Sequence, residues 1–355
     1  MRHPWIEISQ RAFYHNVAQI KKIVGITSLG IVAKAHAYGH GLFHIAHLGQ
    51  QHPDITYFFT AASSEALILR DYGITKPILA LAYRDTSFHD IINNNIEITL
   101  YDIAQITEFH AAVRRFQKPL RIHIKIDTGM SRLGIMPNDV VACLEKIRSC
   151  GGVIVQGIFT HLADTNDPEQ LFTHYQLTQF DMLAKKIIQA GISIPFIHVL
   201  ASGSLIEPQR YSMVRVGTSI YGYHKSKSQY ERFRASYPDY QLQQIMTVKA
   251  PLITHYNEEG SKKYALCSYG HKDGLQLKPG MKVIMNDMLA PIVKIDQEYS
   301  LIDISCVPEK LIQDWVTIVG SHPQVSIENH AHICQTIGND LVTSLSPVLS
   351  RYIIP

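Results

Sequence analysis

The sequence predicts an α/β fold: a (β/α)8, or TIM-type, barrel over residues 1–228, followed by a mostly antiparallel β domain over residues 229–355. Three observations predict it. Eight short apolar runs alternate with helix-like stretches through the first two thirds of the chain. Those runs are continuous, without in-and-out alternation, as strands buried on both faces of a parallel sheet are. Beyond residue 228 the long helical stretches drop out, and short strand-like runs follow one another with turn signals between them. The length agrees, because a barrel takes about 250 residues and a chain of 355 leaves room for one smaller module.

The eight runs are residues 29–35, 55–61, 77–82, 96–100, 120–126, 153–160, 196–200 and 213–221. Between them, Ser64-Glu65-Ala66-Leu67-Ile68-Leu69-Arg70 has helical texture. Residues 170–189 carry Leu177, Phe180, Leu183, Ala184 and Ile187 at three/four spacing. Strand alternating with helix is the repeating unit of a barrel. The stretch 223–240 is rich in tyrosine and polar residues and reads as a solvated excursion. The later runs are 245–253, 264–268, 282–285, 291–295, 301–304 and 317–319. Asn257-Glu258-Glu259-Gly260, Lys278-Pro279-Gly280 and Asn286-Asp287 punctuate them.

Composition narrows the function. Hydrophobic residues are 46% and charged residues 18%, ordinary for a chain with a real core. A net charge of +3 is too small to argue for a nucleic-acid partner. No apolar run approaches the ~20 residues of a bilayer span. Met1-Arg2-His3-Pro4-Trp5-Ile6-Glu7 contains no signal core. A cytoplasmic protein with no membrane partner is expected. The five cysteines are scattered, with no Cys-x-x-Cys pair, which argues against a disulfide framework or a structural zinc. His40, His44 and His47 share one helix face, but no carboxylate or cysteine joins them, and no metal site is expected.

In such a barrel the chemistry sits at the C-terminal ends of the strands. The first run leads into Val32-Ala33-Lys34-Ala35-His36-Ala37-Tyr38-Gly39-His40-Gly41. A lysine closing an apolar strand is either a rim residue with its head in water or a base and Schiff-base former whose pKa burial has lowered. The fifth run continues as Lys125-Ile126-Asp127-Thr128-Gly129-Met130-Ser131-Arg132-Leu133-Gly134, and the sixth ends in Thr160-His161. After the seventh and eighth runs come Ser202-Gly203-Ser204 and Arg215-Val216-Gly217-Thr218-Ser219. Those two loops are the usual phosphate site of the fold, and small hydroxyl-bearing residues suit it. A strand-end lysine with a phosphate cradle points to pyridoxal phosphate (PLP) held through a Schiff base.

The segment 32–41 resembles the cofactor-lysine signature of the alanine racemases, with His36 where that family usually has Asn or Asp. Residues 125–134, Thr160-His161, Val214-Arg215-Val216-Gly217, Ala290-Pro291-Ile292-Val293 and the tail through Arg351-Tyr352 continue the likeness over nearly the whole chain. The resemblance implies a PLP-dependent amino-acid racemase that interconverts L- and D-alanine by two bases and supplies D-alanine for peptidoglycan. It implies that Lys34 carries the cofactor and serves one face of the α-carbon. Tyr38, Ser202, Gly217, Thr218 and Tyr352 hold the phosphate. Arg215 bonds the pyridine nitrogen, and His161 lies against the ring or supports Arg215. Arg132 meets the phenolic oxygen and the substrate carboxylate, and Lys125 matches a lysine that is carbamylated in many members. It also implies a homodimer, with the second base a tyrosine of the partner.

The likeness thins where that tyrosine belongs. The family's two motifs, a Ser-Tyr-Gly hairpin and a later Gly-Tyr-x-Asp-Gly, are compressed here into residues 260–274. Tyr269 stands in the literal Ser268-Tyr269-Gly270 and is the first candidate, Tyr264 the second, and ordinary strand tyrosines the third possibility. The family's Ser-Met-Asp loop is replaced by Asp296-Gln297-Glu298-Tyr299, and the residue before Ser202 is Ala201 in place of Asn. A PLP-binding relative without racemase activity, and a related barrel enzyme for another amino acid, remain alternatives.

Overall fold

The structure is a computed structural model that describes residues 3–208, 211–257 and 262–355. The chain opens on strand β1 (Trp5–Ser9), which does not join the barrel. The barrel is built from β2 (Ser28–Val32), β3 (Ile55–Ala62), β4 (Ile78–Tyr83), β5 (Glu97–Leu100), β6 (Leu120–Lys125), β7 (Val153–Phe159), β8 (Phe196–His198) and β9 (Met213–Val216). They pair in parallel in the order β9-β2-β3-β4-β5-β6-β7-β8. The seam between β8 and β9 is closed by a bridge from Ala201 to Arg215 and by Arg215 N–H donating to Leu200 O at 3.0 Å. Each apolar run expected of a barrel strand is one. The last ends at Val216, because Gly217 leaves extended geometry and residues Thr218–Tyr221 turn into a short helix.

The second sheet holds β10 (Met246–Asn257), β11 (Lys263–Cys267), β12 (Lys282–Met285), β13 (Met288–Ile295), β14 (Ser300–Asp303), β15 (Trp315–Val319) and β16 (Ser350–Ile354). Six of these close on themselves in the antiparallel ring β10-β11-β14-β13-β12-β15. Asn286 and Asp287, both at positive φ (46° and 63°), make the two-residue hairpin between β12 and β13. β1 lies antiparallel to β10 and parallel to β16, so both ends of the chain are stitched to the same strand system. One contiguous apolar cluster runs through barrel and β module alike.

Residues 223–240 are not a solvated excursion. They contain a helix (Lys227–Ser236) whose N-cap Ser226 accepts from Gln229 N–H, and Tyr223, Phe233 and Tyr240 are buried. The rings of Phe233, Tyr240 and His224 form one aromatic cluster, with Phe233 and Tyr240 centroids 5.2 Å apart. Spacing without clear amphipathicity hid this packing. Two short helices, Ile327–Ile333 and Gly338–Thr343, and the terminal strands β1 and β16 also lay outside the sequence expectation.

Candidate active site

Lys34 follows β2 at the C-terminal mouth of the barrel, and the turn it opens is left-handed. Ala35, His36, Ala37 and Tyr38 have φ of 52°, 55°, 53° and 49°. An L-residue in that region costs roughly 1–2 kcal/mol, so four in succession need external support. Glu65 provides part of it, its two carboxylate oxygens accepting from Ala35 N–H (2.7 Å) and Ala61 N–H (2.8 Å). Arg351 on β16 provides more, donating Nε–H and Nη2–H to Gly39 O at 3.1 and 2.9 Å. Gly39 itself (φ 75°) lies so close to Val342 that a Cβ there would come within 1.9 Å of the Val342 carbonyl oxygen.

The turn sets Lys34 Nζ 5.8 Å from the centre of the Tyr38 ring. Lys34 is open to solvent along one side, yet its amine is held below the ordinary lysine value. Burial of its surroundings is the largest cause, followed by the charges of Arg132 and Lys225, with Glu65 opposing. Lys125, at the end of β6, is buried and pushed down to about 8, again by burial first and then by Arg132 and Arg215. The mouth is therefore strongly cationic, a setting for a phosphate dianion and a substrate carboxylate.

The loops after β8 and β9 meet beside Tyr38. Ser202 Oγ accepts from Gly217 N–H (2.9 Å) and Ser219 N–H (3.3 Å), which draws the two loops together. A Cβ on Gly217 would fall 3.2 Å from Tyr38 Oη, so only glycine leaves that gap open. Thr218 Oγ1 is buried without a partner among the described residues. An open gap, a phenol and an unsatisfied buried hydroxyl fit a phosphate group.

At the other end of the site, Arg215 spends four of its five donors on protein. Nη1 donates to His198 Nδ1 (2.9 Å) and His198 O (2.7 Å), and Nη2 to Thr160 O (2.7 Å) and Val199 O (3.1 Å). Nε–H has no partner among the described residues, which suits a pyridine-type acceptor. His161 Nδ1 lies 3.5 Å from Nη2. Burial and the neighbouring cations, Arg215 first, hold His161 well below the usual histidine range, so its ring is neutral. Arg132 is exposed on the loop after β6, which Asp127 Oδ1 shapes by accepting from Gly129 and Ser131 N–H at 2.9 and 3.1 Å.

Two expected residues stand elsewhere. Tyr269 is 0% exposed inside its own β module. Its Oη accepts from Leu275 N–H (3.3 Å) and donates to Asp273 O (3.4 Å), and burial raises its pKa. The phenol is thus sealed inside its own module and is not part of the surface that a second protomer would meet. Tyr352 follows Arg351 on β16, and side chains alternate along a strand. Arg351 faces the lysine turn and Tyr352 the other side, 43% exposed, so the tail reaches the site through Arg351. The histidines after the first strand take separate partners: His40 Nδ1 bonds Tyr38 O (2.8 Å), His44 Nε2 bonds Arg351 O (2.9 Å) and His47 meets Gln51.

Sequence reasoning missed Glu65, Arg351 and a set of polar residues inside the barrel: Tyr57, Glu97, His123 and His198. The signal for the last set was present, because Glu97 and His123 each interrupt an isoleucine-rich run.

Lysine on a strained turn, a hydroxyl-and-glycine cradle and an arginine with one free donor define a barrel enzyme built around a Schiff-base cofactor. Comparison with known proteins narrows the class. The model of the alanine racemase N-terminal domain matches residues 8–225 and that of the C-terminal domain residues 253–353. The alanine racemase of Methanococcus maripaludis is 31% identical over 98% of both chains. That of Clostridium perfringens is 30% identical over 99% of this chain and 95% of its own. The alanine racemase of Clostridium difficile 630, solved in complex with cycloserine, superposes with a TM-score of 0.89 at 26% identity, covering 99% of this chain and 95% of that one. The chain belongs to the alanine racemase family, a family of PLP-dependent isomerases.

Proposed function

We propose that this protein interconverts L- and D-alanine as a cytoplasmic homodimer, with PLP seated between Lys34 and the Gly217–Thr218 cradle. The observation that carries this reading is the pairing of a depressed Lys34 amine with an open cradle that holds the unsatisfied Thr218 hydroxyl on one side and, among the described residues, the free Nε–H of Arg215 on the other. When bound, PLP supplies the electron sink that makes the α-proton removable. Lys34, lowered in pKa, takes that proton on one face and returns it there. Arg215 does not give up a proton, so a ring nitrogen held at its Nε–H would stay unprotonated and the sink would be kept weak, which would favour proton return over side reactions. Neutral His161 would pack beside the ring. Arg132 orients the substrate carboxylate. The Lys125 amine, near 8, is partly neutral, the form that takes up carbon dioxide, and a carbamate there pairs with Arg132.

The second face needs a base from outside the protomer's own mouth. Tyr264 on the β10–β11 hairpin is our assignment. It lies directly opposite Tyr256 in register, with ring centres 5.9 Å apart, and Tyr256 is 48% exposed. No helix among the described residues is long and apolar enough to cross a membrane.

Borohydride reduction and peptide mapping should find the pyridoxyl group on Lys34; a label on another lysine refutes the assignment. Deuterium wash-in from D- and L-alanine, measured separately, tests the base. Tyr264→Phe should slow exchange from one enantiomer far more than from the other. Tyr269→Phe should leave both rates intact and cost only about 1 kcal/mol of stability. Exchange from neither enantiomer in a PLP-loaded wild type would select the PLP-binding, racemase-inactive alternative.

A further inference from the structure

A continuous line of buried side chains crosses the barrel from Arg215 to a carboxylate at the opposite end. Arg215 Nη1 donates to His198 Nδ1 (2.9 Å), His198 Nε2 meets His123 Nδ1 (2.8 Å), and His123 Nε2 meets Glu97 Oε2 (2.8 Å). Tyr57 Oη donates to that same Glu97 oxygen. Every member is buried. The strands contributing them are β9, β8, β6, β5 and β3. Glu97 is the first residue of β5, so it stands at the N-terminal end of its strand, away from the mouth where Lys34 lies.

Hydrogen-bond chemistry fixes every proton in this line. A guanidinium has donors only, so His198 Nδ1 is an acceptor and its ring proton is on Nε2. That proton is given to His123 Nδ1, which is therefore also an acceptor. The His123 proton is then on Nε2 and is given to Glu97. Both imidazoles are neutral, in the Nε2–H tautomer, and the line is polarised from cation to anion.

Arg215 forms no ion pair with a carboxylate among the described residues; its direct partners are carbonyls and His198. A buried cation left without a counter-charge is strongly unfavourable. The carboxylate that its bonded network reaches is Glu97. We propose that Glu97 is a positioning residue for the reaction: acting through His123 and His198, it holds Arg215 in place and sets how strongly Nε–H is offered to the cofactor's ring nitrogen. The proposal rests on the PLP reading above. Hydrogen bonds in series polarise one another, so removing the anion leaves more positive charge on the guanidinium. The ring nitrogen then meets a stronger donor, the electron sink deepens, and side reactions gain on racemisation. Burial and the Arg215 charge also hold His198 far below the ordinary histidine range, in keeping with a neutral link.

The first test uses protein without PLP. Nitrogen-15 NMR of histidine-labelled protein, with His123→Asn and His198→Asn for assignment, should place both rings in the Nε2–H form. Glu97→Gln keeps an acceptor for His123 and removes the charge; both Nε2 protons should move upfield. Tyr57→Phe removes a competing donor and should move the His123 proton downfield, which keeps the proposal testable if Glu97→Gln does not fold. In the loaded enzyme, Glu97→Gln should raise the ratio of transamination to racemisation roughly three- to tenfold, and Glu97→Asp should restore part of the wild-type ratio. An Nδ1–H tautomer in the wild type, or an unchanged ratio in a folded, PLP-loaded Glu97→Gln, overturns the proposal. Wild-type protein that has these tautomers but takes up no PLP overturns the cofactor reading, and with it the assigned purpose of the line.

Discussion

Burial, then the charges of Arg132 and Arg215, bring the Lys125 amine from the ordinary 10.5 down to about 8. The side chain is 6% exposed, so solvent screening does little to relieve it. The shift is also a statement about stability. Between about pH 8 and the free-lysine range, the unfolded chain binds a proton at this position that the folded chain does not. Stability therefore rises with pH across that window, and the full penalty of a buried charged lysine is present below it. In protein without a carbamate at this position, Lys125→Met should remove the penalty. The variant should be more stable than wild type at neutral pH by on the order of 2–3 kcal/mol, and the two should converge towards pH 10. Denaturant melts at several pH values check this, and parallel pH curves for the two proteins would contradict it.

The left-handed turn is an element whose support comes from far away in the chain. Arg351 reaches Gly39 O across 312 residues and also donates to Leu349 O (2.7 Å), Pro347 O and Ser346 O. Arg351→Met leaves buried carbonyls without donors, at about 2–3 kcal/mol. The loss should fall on the turn, so PLP titration should weaken along with the denaturation midpoint. Arg351→Lys should recover little, because an ammonium lacks the planar fork. An Arg351→Met protein with unaltered PLP affinity would refute the link. The same element marks how far the sequence could be read. The place of Lys34 just past a barrel strand was legible because a lysine closing an apolar run is anomalous in itself. That the loops carrying Ser202 and Gly217–Thr218 meet was legible because the loops after the last two strands have a known place in the barrel. Arg351 was not, since it binds only carbonyl oxygens and leaves no charge pattern to find. The burial of Tyr269 was not legible, because the surroundings of its hydroxyl are decided by Asp273 and Leu275, after the three-residue match ends. The barrel strands were legible from continuous apolar runs. β1 was not, because a five-residue strand at the start pairs with residues 246–249 and 350–354.

At the scale of the molecule, barrel and β module form one mechanical unit around the lysine. A fragment of residues 10–228 keeps all eight barrel strands and Glu65, but loses Arg351, Val342 and the whole second sheet. It should fail to hold PLP, with affinity at least tenfold weaker than that of the intact chain if it folds at all. Fluorescence titration of the purified fragment decides, and native affinity would show that the barrel alone keeps the turn. The placement of β1 also has a consequence in time. Ile6 and Ile8 precede their partners on β10 by roughly 240 residues, and synthesis at about 5–20 residues per second takes tens of seconds to cover that distance. β16 follows later still. β1 is thus made well before either strand that it pairs with, and for that interval its edges are open to whatever nascent-chain chaperone stands at the tunnel exit.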